Sequence, residues 1–135
     1  MYLLDTCVIS EVRRRTPEAV IWLRGARSET LFLSAVTIGE ITKGIMMKMR
    51  TDPAAAAAPL RWLDELRFVC SSRILPIGDA VATGWGRLMA QRTRPVASAL
   101  IAATAFVNNK IIVTRNVANF AGVGVPVIDP WSFSK

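Results

Sequence analysis

Short apolar runs alternate with helical patterns along this chain of 135 residues. The apolar runs read as strands are Tyr2-Leu3-Leu4, Leu31-Phe32-Leu33-Ser34, Arg73 to Ile77, Ile111 to Thr114 and Val125 to Ile128. Alternation of this kind is typical of a parallel sheet, because each parallel connection must cross back over a face of the sheet through a helix. We therefore predict an α/β fold, a three-layer α/β/α domain with a central, mostly parallel sheet. The length predicts one domain, residues 1–135.

Start signals and apolar spacing locate the helices between these runs. Helices are predicted from Pro17 to about Arg27, from Thr37 through Met49, from Thr51-Asp52-Pro53 to Phe68, from Gly78-Asp79 through Met89, and from Ser98 to Val107. Thr37 and Glu40 have capping-box spacing, which predicts that Glu40 lies in a first turn. Pro59 is expected to kink or break its helix. The segment Arg115 to Phe120 is interpreted as a polar loop.

The composition excludes most catalytic machinery. The chain has no histidine, so it cannot use a Ser-His-Asp or Cys-His mechanism or a histidine-bound transition metal. Its two cysteines, Cys7 and Cys70, are far apart and indicate neither a disulfide framework nor a zinc site. Carboxylates and hydroxyls remain for catalysis.

Hydropathy and charge limit where the chain can act and what it can bind. Hydrophobic residues make up 52% of the chain, yet the longest apolar stretch, Ala99 to Val107, is too short to span a membrane. The N-terminus lacks a secretory signal, so we expect a cytoplasmic protein without a membrane partner. Seventeen Lys and Arg against ten Asp and Glu give a net charge of +7. That excess indicates attraction to phosphates or only a solvated basic face, and charge alone does not decide between them.

Acidic and polar residues occur where the predicted strands end. Asp5 directly follows the first strand, and Glu40 lies in the predicted helix after the second. The carboxyl ends of parallel strands meet at one edge, so Asp5, Ser34 and the loop 114–119 are expected to gather there with Glu40 and Ser98. Two acids in a basic, histidine-free chain suit Mg²⁺ or Mn²⁺ and phosphodiester hydrolysis. From spacing alone, Asp5 can equally be a turn residue and Glu40 a capping glutamate.

Five segments together resemble the PIN-domain ribonuclease toxins of the VapC family, close to the FitB-like branch of type II toxin-antitoxin systems. They are Tyr2-Leu3-Leu4-Asp5-Thr6-Cys7-Val8-Ile9-Ser10-Glu11, Thr37-Ile38-Gly39-Glu40-Ile41, Ala99-Leu100-Ile101-Ala102-Ala103-Thr104-Ala105, Val113-Thr114-Arg115-Asn116-Val117-Ala118-Asn119-Phe120 and Val127-Ile128-Asp129-Pro130-Trp131. The resemblance covers the whole chain. It implies a PIN fold, Mg²⁺- or Mn²⁺-dependent endoribonuclease activity on structured RNA such as tRNA, a VapB-type antitoxin partner and a homodimer.

By the same resemblance, Asp5 is the first metal-binding carboxylate and Glu40 the second. Asn116 is a residue this branch often has in its Thr-Arg-Asn segment, and it joins Asp5, Glu40, Ser98 and Asn119 as a candidate catalytic residue. Contacts to RNA phosphates are assigned to the three arginines Arg92, Arg94 and Arg115.

The chain departs from the family pattern at three positions. Ser98 stands where the family has an aspartate, Asn119 stands where Ala-Asp-Phe is common, and Cys7 replaces an asparagine. The site then has two carboxylates where the family has three or four, so metal affinity and activity are expected to be attenuated. Ser98 is interpreted as a helix N-cap in preference to a weak metal ligand.

Three functions are compatible with these residues. The first is the metal-dependent endoribonuclease, attenuated by Ser98 and Asn119. The second is a catalytically impaired PIN domain that acts by binding its antitoxin or RNA. The third and remotest is an unrelated three-layer domain, such as a receiver or small phosphatase, with Asp5 as a phosphorylated nucleophile.

Overall fold

A computed structural model describes residues 1–132 of the chain and contains one five-stranded sheet. The strands are β1 (Tyr2–Leu4), β2 (Leu31–Ser34), β3 (Ile74–Leu75), β4 (Ile111–Val113) and β5 (Val127–Ile128). Their order across the sheet is β3-β2-β1-β4-β5, and each neighbouring pair is parallel. The predicted strand positions are confirmed, although β3 and β5 are shorter than expected, and the sheet is parallel throughout.

Six helices and two short 3₁₀ turns connect the strands. The helices are α1 (Thr6–Arg13), α2 (Pro17–Gly25), α3 (Ala35–Thr51), α4 (Pro53–Val69), α5 (Asp79–Gln91) and α6 (Val96–Val107), and the 3₁₀ turns are Ser28–Thr30 and Val117–Phe120. Helix α1 was not predicted, because its segment turns polar and basic after Ile9. Helix α4 continues through the buried Pro59, so a break there is excluded. Within residues 1–132, no helix combines the length and apolarity needed to cross a membrane.

Alternate residues of the central strands face two separate cores. Leu4 and Val113 pack in one core with residues of α1, α3 and α4, and Trp22 of α2 lies against it. Leu3 and Ile112 pack in the other with residues of α6, joined by Leu88 of α5. Successive strand residues point to opposite faces of a sheet, so both faces must be covered. The predicted three-layer α/β/α architecture of the PIN type is therefore confirmed.

Two predicted helix starts are wrong. Helix α3 begins at Ala35, because Ser34 ends β2 and its hydroxyl accepts a hydrogen bond from the Val36 amide at 3.1 Å. Thr37 is buried inside that helix, and Glu40 consequently lies beyond its first turn. Helix α6 has Pro95 at the N-cap position, so Ser98 is a residue of its first turn and not the cap.

Candidate active site

The five candidate catalytic residues line one cleft at the carboxyl edge of the sheet. Its volume is about 300 Å³, and its lining includes Asp5, Glu40, Ser98, Asn116 and Asn119. Asp5 follows β1, Glu40 lies on α3, Ser98 on α6, and the two asparagines follow β4. The edge predicted for the site is thus where these side chains meet, while their catalytic roles stay predictions.

Asp5 is held tightly below this cleft. Its side chain is 7% exposed, and its backbone amide donates to the Val113 carbonyl at 2.9 Å. One carboxylate oxygen, Oδ1, accepts from the Thr6 amide at 2.9 Å. The other, Oδ2, accepts from the Thr114 hydroxyl at 2.7 Å and from the Cys7 thiol at 3.4 Å. Two lone pairs per oxygen leave none free on Oδ2 and one free on Oδ1, so the carboxylate is oriented and can still bind a cation through Oδ1.

Thr6 connects the two carboxylates. Its amide donates to Asp5, and its hydroxyl donates to Oε1 of Glu40 at 2.6 Å. The hydroxyls of Thr6 and Thr37 are 3.0 Å apart. A hydroxyl has one proton, and the Glu40 carboxylate takes that of Thr6, so Thr37 must donate to Thr6. Thr6 and Thr37 therefore fix the position of Glu40 relative to Asp5.

Thr114 is a site residue that the sequence interpretation did not single out. Besides donating to Asp5, its hydroxyl accepts a hydrogen bond from the Asn116 amide at 3.0 Å. The strand register explains the contact, because Leu4 pairs with Val113 and the following residues, Asp5 and Thr114, are then neighbours. A hydroxyl directly after β4 was the available signal, but it becomes meaningful only with the register.

The Cys7 thiol faces the same carboxylate. Burial raises the pKa of Cys7 above its ordinary value, and the negative charge of Asp5 raises it further. Both effects disfavour the thiolate, which is the reactive form of cysteine. Cys7 is therefore a neutral, weakly donating partner of Asp5.

The three arginines predicted to contact RNA are placed differently. Arg92 is exposed, and its guanidinium donates to the Ala121 carbonyl at 3.2 Å. Arg115 is exposed, and its guanidinium carbon lies 5.0 Å from the ring centroid of Trp131. Arg94 is only 7% exposed and donates to the Ala121 carbonyl at 3.0 Å. Arg92 and Arg115 are thus accessible, and their contacts to phosphates stay predictions, whereas Arg94 has a structural position inside the protein.

The donor set of the cleft fits a hard divalent cation. It offers the carboxylates of Asp5 and Glu40, the hydroxyl of Ser98 and the side-chain amides of Asn116 and Asn119. Mg²⁺ is commonly bound through one or two carboxylates, with waters and substrate phosphates completing its shell. Within residues 1–132 no group of three or more His, Cys, Asp or Glu side chains is arranged to hold a metal.

Comparison with known proteins places this chain in a family. The PIN domain family matches residues 2–124. The VapC ribonuclease Y4jK of Sinorhizobium fredii is 30% identical, over 97% of this chain and 98% of that protein. Among solved structures, FitAcB from Neisseria gonorrhoeae gives a TM-score of 0.87 at 29% identity, over 97% of this chain and 99% of that chain. The FitAB structure bound to an IR36 DNA fragment gives 0.85 at 29% identity, over 97% and 96% of the two chains. The chain therefore belongs to the PIN domain family, in the group that contains the VapC ribonucleases and FitB.

Proposed function

We propose that this chain is a VapC-type toxin, a metal-dependent endoribonuclease that cleaves structured cellular RNA such as tRNA in the cytoplasm. One observation carries the proposal: Thr6 joins the carboxylates of Asp5 and Glu40 in a single cleft of a protein with net charge +7. Acidic side chains in a basic protein create a place where a cation and a polyanion meet. The names of its relatives support ribonuclease chemistry in particular.

The residues of the cleft have different roles in the proposed reaction. Asp5 and Glu40 are the ligands for Mg²⁺ or Mn²⁺, and Thr6 and Thr114 hold them in place. Such an ion supplies polarisation of the scissile phosphate and a lowered pKa for water. Asn116 and Asn119 offer amide groups that orient water or phosphate oxygens.

The exposed arginines supply the long-range part of substrate binding. Arg92 and Arg115 are both exposed, and a guanidinium attracts and orients phosphates. The chain offers no histidine to act as a general base. Proton transfer is therefore left to carboxylates and hydroxyls, and orientation and charge add to it.

Activity is expected to be weaker than in a site with more carboxylates. Ser98 and Asn119 line the cleft as neutral residues where the family resemblance implies acids. Each missing carboxylate removes a unit of negative charge that attracts a divalent ion. We infer a working site with reduced affinity for its ion.

The proposed partners are a VapB-type antitoxin and a second copy of the chain. The likeness to the FitAB and FitAcB structures supports an antitoxin partner. The homodimer is supported by the resemblance to the VapC family.

A cleavage and binding experiment tests the proposed enzyme. Purified chain is incubated with a tRNA pool in Mn²⁺, Mg²⁺ or EDTA, and Mn²⁺ binding is followed by calorimetry. We expect slow cleavage that EDTA abolishes, faster cleavage with Ser98→Asp, and none with Asp5→Asn. Intact tRNA at high enzyme excess, no ion binding by the unmodified chain, and cleavage gained only with Ser98→Asp would exclude an active natural enzyme.

The second candidate function is a PIN domain that binds antitoxin or RNA without cutting. The neutral Ser98 and Asn119 in the cleft favour it. It predicts RNA or partner binding of equal affinity in Mg²⁺ and in EDTA, with no cleavage in either. RNA binding that is lost when EDTA is added would count against this function.

A further inference from the structure

A second groove lies beside the active-site cleft, between α1, α3 and α4. Its volume is about 280 Å³, and we call it the Trp62 groove after the aromatic residue in its lining. Thr6, Ser10 and Glu40 line both the cleft and the groove. The two concavities are therefore adjacent, and a chain molecule bound at the carboxylates can reach the groove across these shared residues.

The groove combines basic and aromatic side chains with the apolar Ile41 and Ile45 and the acidic Glu40. Arg13 and Arg14 are exposed at the end of α1, and Trp62 on α4 is half-buried. The guanidinium carbon of Arg13 lies 5.5 Å from the centroid of the Trp62 ring. Arg14 pairs with Glu11 at 3.4 Å, but its side chain is 70% exposed, so solvent weakens that pair. Both arginines remain able to attract an anion.

We propose that the Trp62 groove binds the single-stranded segment of RNA that flanks the scissile phosphate. This inference rests on the proposed ribonuclease function and adds the path of its substrate. Single-stranded nucleic acid is typically bound by a positive groove with aromatic rings on which bases stack. Guanidinium planes are also stacking surfaces for bases, and Arg13 presents one beside Trp62.

The stacking surfaces, more than charge, distinguish RNA from an acidic peptide as the occupant. Glu40 lies where the groove meets the cleft, and its carboxylate would repel an acidic side chain and a phosphate alike. A nucleic acid strand places its phosphate there, where the proposed cation of Asp5 and Glu40 compensates both charges. A peptide also leaves the stacking surfaces of Arg13 and Trp62 without bases.

Anisotropy of a labelled oligonucleotide tests the groove directly. The probe is a fluorescein-labelled single-stranded RNA of about ten nucleotides, within the usual size of a single-strand site. Binding is measured in Mg²⁺ and in EDTA while a gel shows the probe intact, and cleavage of a tRNA pool is measured separately. The variants are Arg13→Ala, Arg14→Ala and Trp62→Leu. Arg67→Ala, which removes an exposed arginine of α4 outside the groove, is the matched control for charge.

The expected losses are specific to the groove. Trp62→Leu should weaken binding about tenfold or more, as loss of a stacking surface does. Each arginine variant should reduce the slope of log affinity against log salt concentration by about 0.7 in magnitude. Arg67→Ala should change affinity by less than about twofold, because salt screens distant charges. Since Trp62 also packs on the core, thermal unfolding is checked, and Arg13→Ala keeps the test valid if Trp62→Leu fails to fold.

The outcomes separate this inference from the proposed function. Cleavage that is equal in the wild-type chain and all three variants overturns the assignment of the groove to RNA and leaves the proposed ribonuclease function standing. RNA binding that the variants weaken, without cleavage in any metal, supports the assignment of the groove to RNA and overturns the proposed ribonuclease activity. Binding of a polyglutamate peptide that Arg13→Ala abolishes, with RNA binding unchanged, assigns the groove to an acidic peptide and overturns the inference.

Discussion

Thr6 has a greater influence on the site than its size suggests. Its backbone amide binds Asp5, its hydroxyl binds Glu40, and Thr37 supports that hydroxyl from below. Groups that hold metal ligands in position contribute to affinity although they never touch the ion. At the scale of single residues, the positions of the Asp5 and Glu40 carboxylates therefore depend on Thr6 and Thr37 as well.

Thr6→Val tests this positioning role, because valine keeps the shape of threonine and loses the hydroxyl. Glu40 then loses its donor at 2.6 Å, and the Thr37 hydroxyl loses its acceptor. We expect Mn²⁺ affinity, measured by calorimetry, to fall about tenfold or more. Thr6→Ser retains the hydroxyl and should bind Mn²⁺ nearly as the wild type does. Equal Mn²⁺ affinity in all three proteins contradicts the role assigned to Thr6.

Cys7 should be unreactive in the folded protein, because burial and Asp5 raise the pKa of its thiol. In a Cys70→Ser background, where Cys7 is the one remaining thiol, alkylation by iodoacetamide at pH 8 should be several-fold slower than after unfolding in guanidinium. The folded pKa lies above the unfolded value of 9.0, so ionisation of Cys7 lowers the free energy of unfolding only as pH rises above that value. Alkylation that is equally fast in both states contradicts this assignment.

The start of α3 shows how an element is set by its neighbour. Strand β2 runs directly into the helix, so the last strand residue, Ser34, supplies the cap. The spacing of Thr37 and Glu40 had predicted a cap three residues too far along the chain, because the Thr37 hydroxyl contacts Thr6 instead. A capping box describes local chain geometry, whereas here the sheet determines where the helix begins.

Ser34→Ala should therefore lower the free energy of unfolding by about 1–2 kcal/mol, because the Val36 amide loses its partner at a fully buried position. Urea denaturation measures the change. Ser72→Ala replaces an exposed serine and should shift the value by less than about 0.5 kcal/mol. If the two variants are equally stable, Ser34 is not the cap that stabilises α3.

Charge acts on the molecule as a whole. The net charge is +7, and the ion pairs found among residues 1–132 are two exposed ones, Arg14 with Glu11 and Arg27 with Glu29. Like charges on a compact molecule repel each other, and exposed pairs offset little of that repulsion. The basic excess thus favours phosphate binding at some expense of stability.

Salt should consequently stabilise the free protein. Raising NaCl from about 20 to 200 mM shortens the screening length, so we expect the melting temperature to rise by a few degrees. KCl at equal ionic strength should raise the melting temperature by the same amount. Sorbitol, a neutral osmolyte that does not screen charge, should not raise it at these low concentrations. A melting temperature that falls with salt would mean that attractive pairs dominate this surface. RNA binding should weaken over the same range.

Much of the fold and part of the site follow from the sequence. The strand and helix periodicities place β1, β2 and β4, and the acid after β1 marks the edge where five candidate residues meet in one cleft. Helix α1 escaped prediction because its apolar face is short and its end is basic. Arg94 was assigned to RNA because a guanidinium in a polar segment looks exposed, yet it is buried against Ala121.

The sequence by itself determined the order of elements, the layered architecture and the residues at the carboxyl edge, because these depend on local periodicity and on where strands end. Tertiary structure alone decided the contacts that make a site of them. Thr6 meets Glu40 across 34 positions and Thr114 meets Asp5 across 109. The position of the Trp62 groove beside the cleft likewise depends on how α1, α3 and α4 pack. Such contacts are set by strand register and helix packing, which no local pattern in the chain encodes.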